Sequence, residues 1–158
     1  MANIGIIGSG NIGAALTRLL TKAGHQVAVS NSRGPASLAA LAQETGAHAA
    51  SVTEVVRTSE IVIVAVPLEN IPHLSATLFQ QGPASQVVID TSNYYPQQRD
   101  GLIAEIEAGM PESAWVAQHL GRPVVKAFNS ILADHLASAH AIVAAKLTRA
   151  ARAALGLA

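Results

Sequence analysis

The sequence predicts an α/β fold: a doubly wound parallel sheet in three layers, α/β/α, forming a single domain. Three observations carry that expectation. A short apolar run at about residues 3–8 leads into the spacing Gly8, Gly10, Gly13, and a helical pattern follows at once. Short apolar runs then alternate with helix-forming segments along the chain, the pattern of βαβ units. One run, Ile61 to Val66, is continuous and rich in β-branched residues, as a central parallel strand covered on both faces would be.

The opening glycines have the form of a dinucleotide-binding, Rossmann-type turn, and each has a physical task there. Gly8 allows the tight turn from strand to helix. Gly10 lets backbone approach a pyrophosphate with no Cβ in the way, and Gly13 lets helix and strand pack closely. The free N–H groups and the positive dipole end of the helix then face the phosphates. The first helix is expected at about 11–23, with Leu16, Leu19 and Leu20 on its apolar face and Gly24 stopping it. A second strand, Gln26 to Ser30, completes the unit by a helical crossover.

The end of that second strand bears on cofactor choice. An acidic residue about 20 positions beyond the glycines would accept from a ribose 2′-hydroxyl. Ser30, Asn31 and Ser32 stand there instead, followed by Arg33. A carboxylate would repel a 2′-phosphate, whereas hydroxyls and a guanidinium bind it through charge-assisted hydrogen bonds. The expected cofactor is therefore NADP(H).

Pro35 opens a helix at about 36–45 that Gly46 ends, followed by a weak strand near 47–50 and a short helix near 52–58. After the Ile61–Val66 strand, Pro67 ends the ladder. A helix at about 70–80 leads to a fifth strand, Gln86 to Asp90. The loop Thr91 to Pro96 carries both tyrosines and should face a ligand, because it leaves the carboxyl end of the sheet. A helix at about 101–108, an apolar stretch from Trp115 to Leu120 and a sixth strand from Arg122 to Phe128 complete the expected domain, residues 1–132. Residues 133–158 are expected to form an alanine-rich, mostly helical segment, with Lys146, Arg149 and Arg152 on a solvated face.

Bulk properties exclude several classes. Of the 158 residues, 50% are hydrophobic and 13% charged, which excludes a disordered chain. Ten basic residues balance ten acidic ones, so no net field draws nucleic acid or an anionic membrane. With no cysteine, disulfides and thiolate chemistry are excluded. The six histidines have no i, i+4 pair, so no metal site is expected, and His119 is read as packing or capping a helix. Neither a G-x-S-x-G elbow nor a Walker phosphate loop is present. The start lacks a signal-peptide pattern and no apolar run is long enough to span a bilayer, so a cytoplasmic protein with no membrane contact is expected.

Taken in order, Gly-Ser-Gly-Asn-Ile-Gly at 8–13, Ser-Asn-Ser-Arg-Gly-Pro at 30–35, Ile63 to Pro67, Val-Ile-Asp-Thr-Ser-Asn-Tyr-Tyr-Pro at 88–96 and Val-Val-Lys-Ala-Phe-Asn at 124–129 resemble the NADPH-dependent coenzyme F420 reductase family. The likeness covers about residues 2–132. It implies that Ser9, Gly10, Asn11 and Ile12 hold the pyrophosphate, and that Ser32 and Arg33, beside Asn31, contact the 2′-phosphate. It also places Val66 and Pro67 along the ribose and nicotinamide, with Ala127 behind the nicotinamide and Asn129 and the Asn93 loop beside it. The implied chemistry is hydride transfer between NADP(H) and a small-molecule electron acceptor, a deazaflavin such as coenzyme F420 or a flavin. Because cofactors do the electronic work in such a reaction, no obligatory acid–base dyad is expected and no catalytic residue is named. Family members continue through a further strand, a helix and a final strand, which complete the acceptor pocket and a dimer interface. Ala141–Ala144 and Lys146–Leu155 are the places expected to hold a shortened counterpart, which leaves a homodimer open.

Two other functions fit the same motifs. One is an NADP-binding module without turnover, acting as a sensor or a partner subunit. The other is a reductase of small imines like the pyrroline carboxylate reductases, although those enzymes use an additional helical domain. Activity with an added deazaflavin or flavin separates the reductase from the binding module.

Overall fold

Six strands make one sheet: β1 (Asn3–Ile7), β2 (Gln26–Ser30), β3 (His48–Ala49), β4 (Ile61–Val64), β5 (Val87–Asp90) and β6 (Val124–Lys126). In the computed structural model, which describes residues 1–138, their order is β3-β2-β1-β4-β5-β6 and every pairing is parallel. The chain winds outward from β1 to β3, returns to place β4 beside β1, and then winds the other way. The switch point lies between β1 and β4.

Side chains alternate across the strands, so β1 sends Ile4 and Ile6 to one face and Ile7 to the other. Under the first face lie Leu16 and Leu20 of α1 (Asn11–Lys22), Leu38 just ahead of α2 (Ala39–Thr45), and Leu136 of α7 (Ala133–Ser138). Helix α7 packs on α1. The second face is covered by Val55 and Val56 of α3 (Val52–Thr58), Phe79 of α4 (Ala76–Phe79), and Trp115, Val116 and Leu120 of α6 (Glu112–Leu120). Strand β4 is buried on both faces, which is why its sequence is apolar without alternation. At about 2 kcal/mol for each fully buried Leu or Ile, these two layers are the main stabilising term.

The α/β expectation is met in strand number, order of elements and parallel pairing, while several boundaries move for local reasons. β1 stops at Ile7 because Gly8 turns to φ +109°. β4 stops at Val64 rather than Val66: the Ala65 amide makes the last bond to β1, at the Ile7 carbonyl, and beyond it Gly8 has turned β1 away. Segment 36–45 begins as a 3₁₀ turn, Pro35–Leu38, before α2, and the left-handed Gly46 ends it. No continuous helix spans 70–80. A 3₁₀ helix runs from Leu68 to His73 with Pro72 inside it, and Ser75 then caps the short α4. The helix at 101–108 contracts to α5 (Ala104–Glu107), and the stretch from Trp115 to Leu120 belongs to α6. β5 begins at Val87. β6 is confined to 124–126, with Phe128 beyond it at φ +65°. The expected strand at Ala141–Ala144, helix at Lys146–Leu155 and basic stripe of Lys146, Arg149 and Arg152 lie outside the described residues.

Candidate functional site

The carboxyl ends of β1, β2 and β4 surround a crevice at the switch point, where open parallel sheets bind ligands. A cavity of about 650 Å³ occupies it. Gly8, Ser9 and Gly10 form its floor, Asn31, Ser32 and Arg33 one wall, and Val66 and Pro67 the opposite wall.

The three glycines differ in what they require. A Cβ on Gly8 would run into the Ala65 carbonyl, and its φ of +109° suits no other residue. A Cβ on Gly13 would strike the Gly8 carbonyl, so α1 lies directly against the turn. At Gly10 a Cβ would meet nothing within 4 Å. Gly10 is also the N-cap of α1 and no side chain caps that end, so the first amides of the helix, at Asn11 and Ile12, are not occupied by a side-chain acceptor. The open space at Gly10 and these amides fit a pyrophosphate.

Loop 30–37 is tied to the glycine turn. The Gly8 amide donates to the Ser30 carbonyl at 2.8 Å. Asn31 Nδ2 donates to Ser9 Oγ and lies as close to Ser37 Oγ, both at 3.0 Å, while Asn31 Oδ1 accepts from the Arg33 amide at 3.0 Å. Asn31 therefore sets the distance between the two loops. Ser30 is fully buried and its hydroxyl donates to the Ile6 carbonyl at 3.2 Å, so it is not a phosphate ligand; among residues 30–33, Ser32 and Arg33 are the exposed ones. Among the described residues, no carboxylate lines the cavity.

The remaining predicted residues divide into two groups. Asn11, Ile12 and Gly13 form the first turn of α1, behind the cavity floor. Asn93, Ala127 and Asn129 lie further along the same sheet edge and do not line the cavity. Asn93 and Asn129 are nevertheless brought together, Asn93 Nδ2 donating to the Asn129 carbonyl at 2.8 Å, while the Ala127 amide donates to the Asp90 carbonyl at 3.0 Å.

Several contributors had no motif to announce them. Leu74 and Leu78 from the segment after β4, with Val52 of α3, make an apolar end to the cavity, where Asn70 and His73 also stand. The i, i+4 spacing of Leu74 and Leu78 is visible in the sequence, but it reads equally well as a core-facing helix. Asp100 braces the loops. Its carboxylate accepts from the Glu69 amide (3.2 Å), the Tyr95 amide (2.6 Å) and Arg99 Nε (2.9 Å), joining the chain after β4 to the loop after β5. Burial alone would raise the Asp100 carboxyl, but Arg99 and the two amides outweigh it and hold it below the usual aspartate value. Arg99 also donates to the Asn93 carbonyl at 3.0 Å and lies over the Tyr95 ring. Tyr94 donates to Glu107 and accepts from the Ile103 amide, both at 2.9 Å. His119 packs on Trp115, with ring centroids 4.0 Å apart, and bonds the Trp115 carbonyl.

Fold and crevice define a Rossmann-type α/β protein. The chain belongs to the family described as NADP oxidoreductase, coenzyme F420-dependent, whose model matches residues 3–94. Among solved structures, a hypothetical protein from Sinorhizobium meliloti is 29% identical over 100% of this chain and 83% of its own, with a TM-score of 0.74. A candidate F420-dependent NADP reductase from Arthrobacter sp. FB24 shares the fold at 15% identity, covering 98% of this chain and 81% of its own, with a TM-score of 0.63. An imine reductase from Aspergillus terreus, solved with NADPH4, shares it at 21% identity and a TM-score of 0.54, over 80% of this chain and 39% of its own. The comparison with curated proteins gives no match. Among the described residues, no helix is long and apolar enough to cross a membrane, and no group of three His, Asp or Glu side chains could hold a metal ion.

Proposed function

We propose that this protein binds NADP(H) across the crevice and transfers a hydride between its nicotinamide and a deazaflavin such as coenzyme F420, or a flavin. The observation that carries the reading is one cavity joining the uncapped α1 terminus to Ser32 and Arg33, with no carboxylate among the described residues of its lining. Membership in an NADP oxidoreductase family supports it.

In this reading the amides of Ser9 to Ile12 hold the pyrophosphate, with Gly8 and Gly13 fixing the turn. Ser32 and Arg33 take the 2′-phosphate, and Asn31 orients them through Ser9. Val52, Leu74 and Leu78 offer an apolar surface for the adenine. Val66 and Pro67 lead along the ribose toward Asn93, Ala127 and Asn129 at the nicotinamide end. When bound, the nicotinamide supplies the hydride chemistry, and the residues of the chain supply orientation and exclusion of water. Transfer to the acceptor ring is balanced by one proton, which solvent provides.

Isothermal titration with NADPH and NADH, followed by an acceptor assay, tests the proposal. Preferential NADPH binding with turnover of coenzyme F420 or a flavin is the expected result. Binding without turnover on these acceptors or on a cyclic imine would overturn the reductase reading in favour of a binding module. Turnover on the imine alone would move the assignment to imine reduction. Failure to bind either nucleotide would overturn the cofactor reading itself.

A further inference from the structure

A cluster of charged side chains lies at the far end of the crevice, away from the groups proposed to hold the phosphates. Asp90, the last residue of β5, is fully buried. Lys126, its registered neighbour on β6, brings Nζ to 2.8 Å from Asp90 Oδ2. The other carboxylate oxygen accepts from the Ser92 amide at 2.9 Å. The same ammonium reaches Glu112 Oε2 at 3.1 Å, in the first turn of α6, and stands 3.4 Å from Ser92 Oγ. One cation thus holds two strands, a loop and a helix.

Buried ion pairs are seldom retained for stability, since well-packed apolar residues do as well or better. The residues just beyond the pair on each strand point to another use. Three residues beyond Asp90 is Asn93, and three beyond Lys126 is Asn129; these two are joined by the 2.8 Å bond from Asn93 Nδ2. Between Lys126 and Asn129 the chain passes through Phe128 at φ +65°, a conformation that side-chain-bearing residues adopt only where their surroundings enforce it. The Lys126–Asp90 pair fastens the chain before Phe128, and the Asn93–Asn129 bond fastens it after.

We infer that Lys126 is a positioning residue: acting through Asp90, it sets the Asn93–Asn129 latch and so the nicotinamide end of the crevice, without touching the cofactor. The inference rests on the cofactor orientation proposed above. It separates the two halves of the cofactor energetically, because the wall that takes the 2′-phosphate is built from β1 and β2 and, among the described residues, shares no hydrogen bond with this cluster.

The test compares two ligands on the whole chain: NADP+ and 2′,5′-ADP, which has the adenosine 2′-phosphate but no nicotinamide. Lys126→Met should weaken NADP+ about tenfold while 2′,5′-ADP stays within about twofold, and Lys126→Arg should recover most of the loss. An equal change for both ligands, no change for either, or no recovery with arginine overturns the inference. If Lys126→Met fails to fold, the paired variant Asp90→Asn with Lys126→Gln, which leaves only the 33% exposed Glu112 without its cation and no buried charge unpaired, should show the same ligand-selective loss; equal effects there overturn it. A wild-type chain that binds neither ligand defeats the cofactor reading first, so the two failures are distinguishable.

Discussion

The two ends of the crevice are built on opposite principles. At the end proposed to take the adenosine, β1 and β2 present exposed loops whose positions come from backbone geometry and neutral hydrogen bonds: a left-handed Gly8, an uncapped helix start, and Asn31 linking Ser9 to Arg33. At the far end, β5 and β6 rely on a buried ion pair, a braced loop and a strained Phe128. The first end leaves groups available to a ligand. The second uses its polar groups on one another, as a surface that must hold a ring in place would.

The largest effect that would test this contrast comes from the glycine turn. Gly8→Ala places a methyl against the Ala65 carbonyl in a left-handed conformation, and should cost about 3 kcal/mol or more in urea unfolding. Gly10→Ala is the control, because its backbone is ordinary and its Cβ enters open space. It should unfold within about 0.5 kcal/mol of wild type yet bind NADPH at least about tenfold more weakly in a titration. A Gly10→Ala protein with unchanged affinity would remove the pyrophosphate from that position.

Next in size is the wall beside it. Arg33→Ala should weaken NADPH by about 1.5 kcal/mol, the worth of one charge-assisted hydrogen bond, and leave NADH nearly unchanged. Equal losses for both nucleotides, measured by fluorescence titration, would show that Arg33 does not read the 2′-phosphate. Asn31→Ala should reproduce part of the loss while touching no phosphate, since it frees the Arg33 loop from Ser9.

The same contrast explains how much of the molecule is legible in its sequence. The adenosine end is legible because its demands are local: a glycine at a positive φ, a missing carboxylate and a neighbouring arginine each leave a mark within a few residues. The loop holding Asn93 is legible as ligand-facing, but its juxtaposition with Asn129 depends on a bond between residues 36 positions apart, and Ala127 and Asn129 can be named only by resemblance. The pairing of Asp90 with Lys126 is hidden for the same reason; each residue alone reads as a strand end. Ser30 misleads in the opposite direction, since whether a hydroxyl at a strand end faces solvent or the Ile6 carbonyl is settled by strand phase rather than composition. Segment 70–80 reads as one helix because the helical spacing of Leu74 and Leu78 masks the break at Pro72.

The smallest expected effect is a pH dependence of stability that sets the braced end apart from the rest of the fold. The Asp100 carboxyl lies below the usual aspartate value in the folded chain, so its ionised form favours folding. Its contribution is complete above the unfolded value, about 3.9, and is lost as pH falls through the lower folded value. His25, away from the crevice, is also lowered, by burial and then by the N-terminal charge, and its Nδ1 accepts from the Ala2 amide. The folded chain therefore takes up that proton later than the unfolded chain, and stability begins to fall below about pH 6.5. Both groups act in the same direction, so acidification should lower stability in two stages, each less than about 1 kcal/mol for such partly screened groups. Urea unfolding from pH 8 to pH 3 reads this directly. Asp100→Asn should flatten only the lower stage, and should loosen the loops after β4 and β5 even at neutral pH. His25→Gln should flatten only the upper stage and leave nucleotide binding unchanged. If Asp100→Asn left the acid stage intact, the brace at the far end would not depend on that charge, and the division between a hydrogen-bonded end and an ionic end would have to rest on Lys126 alone.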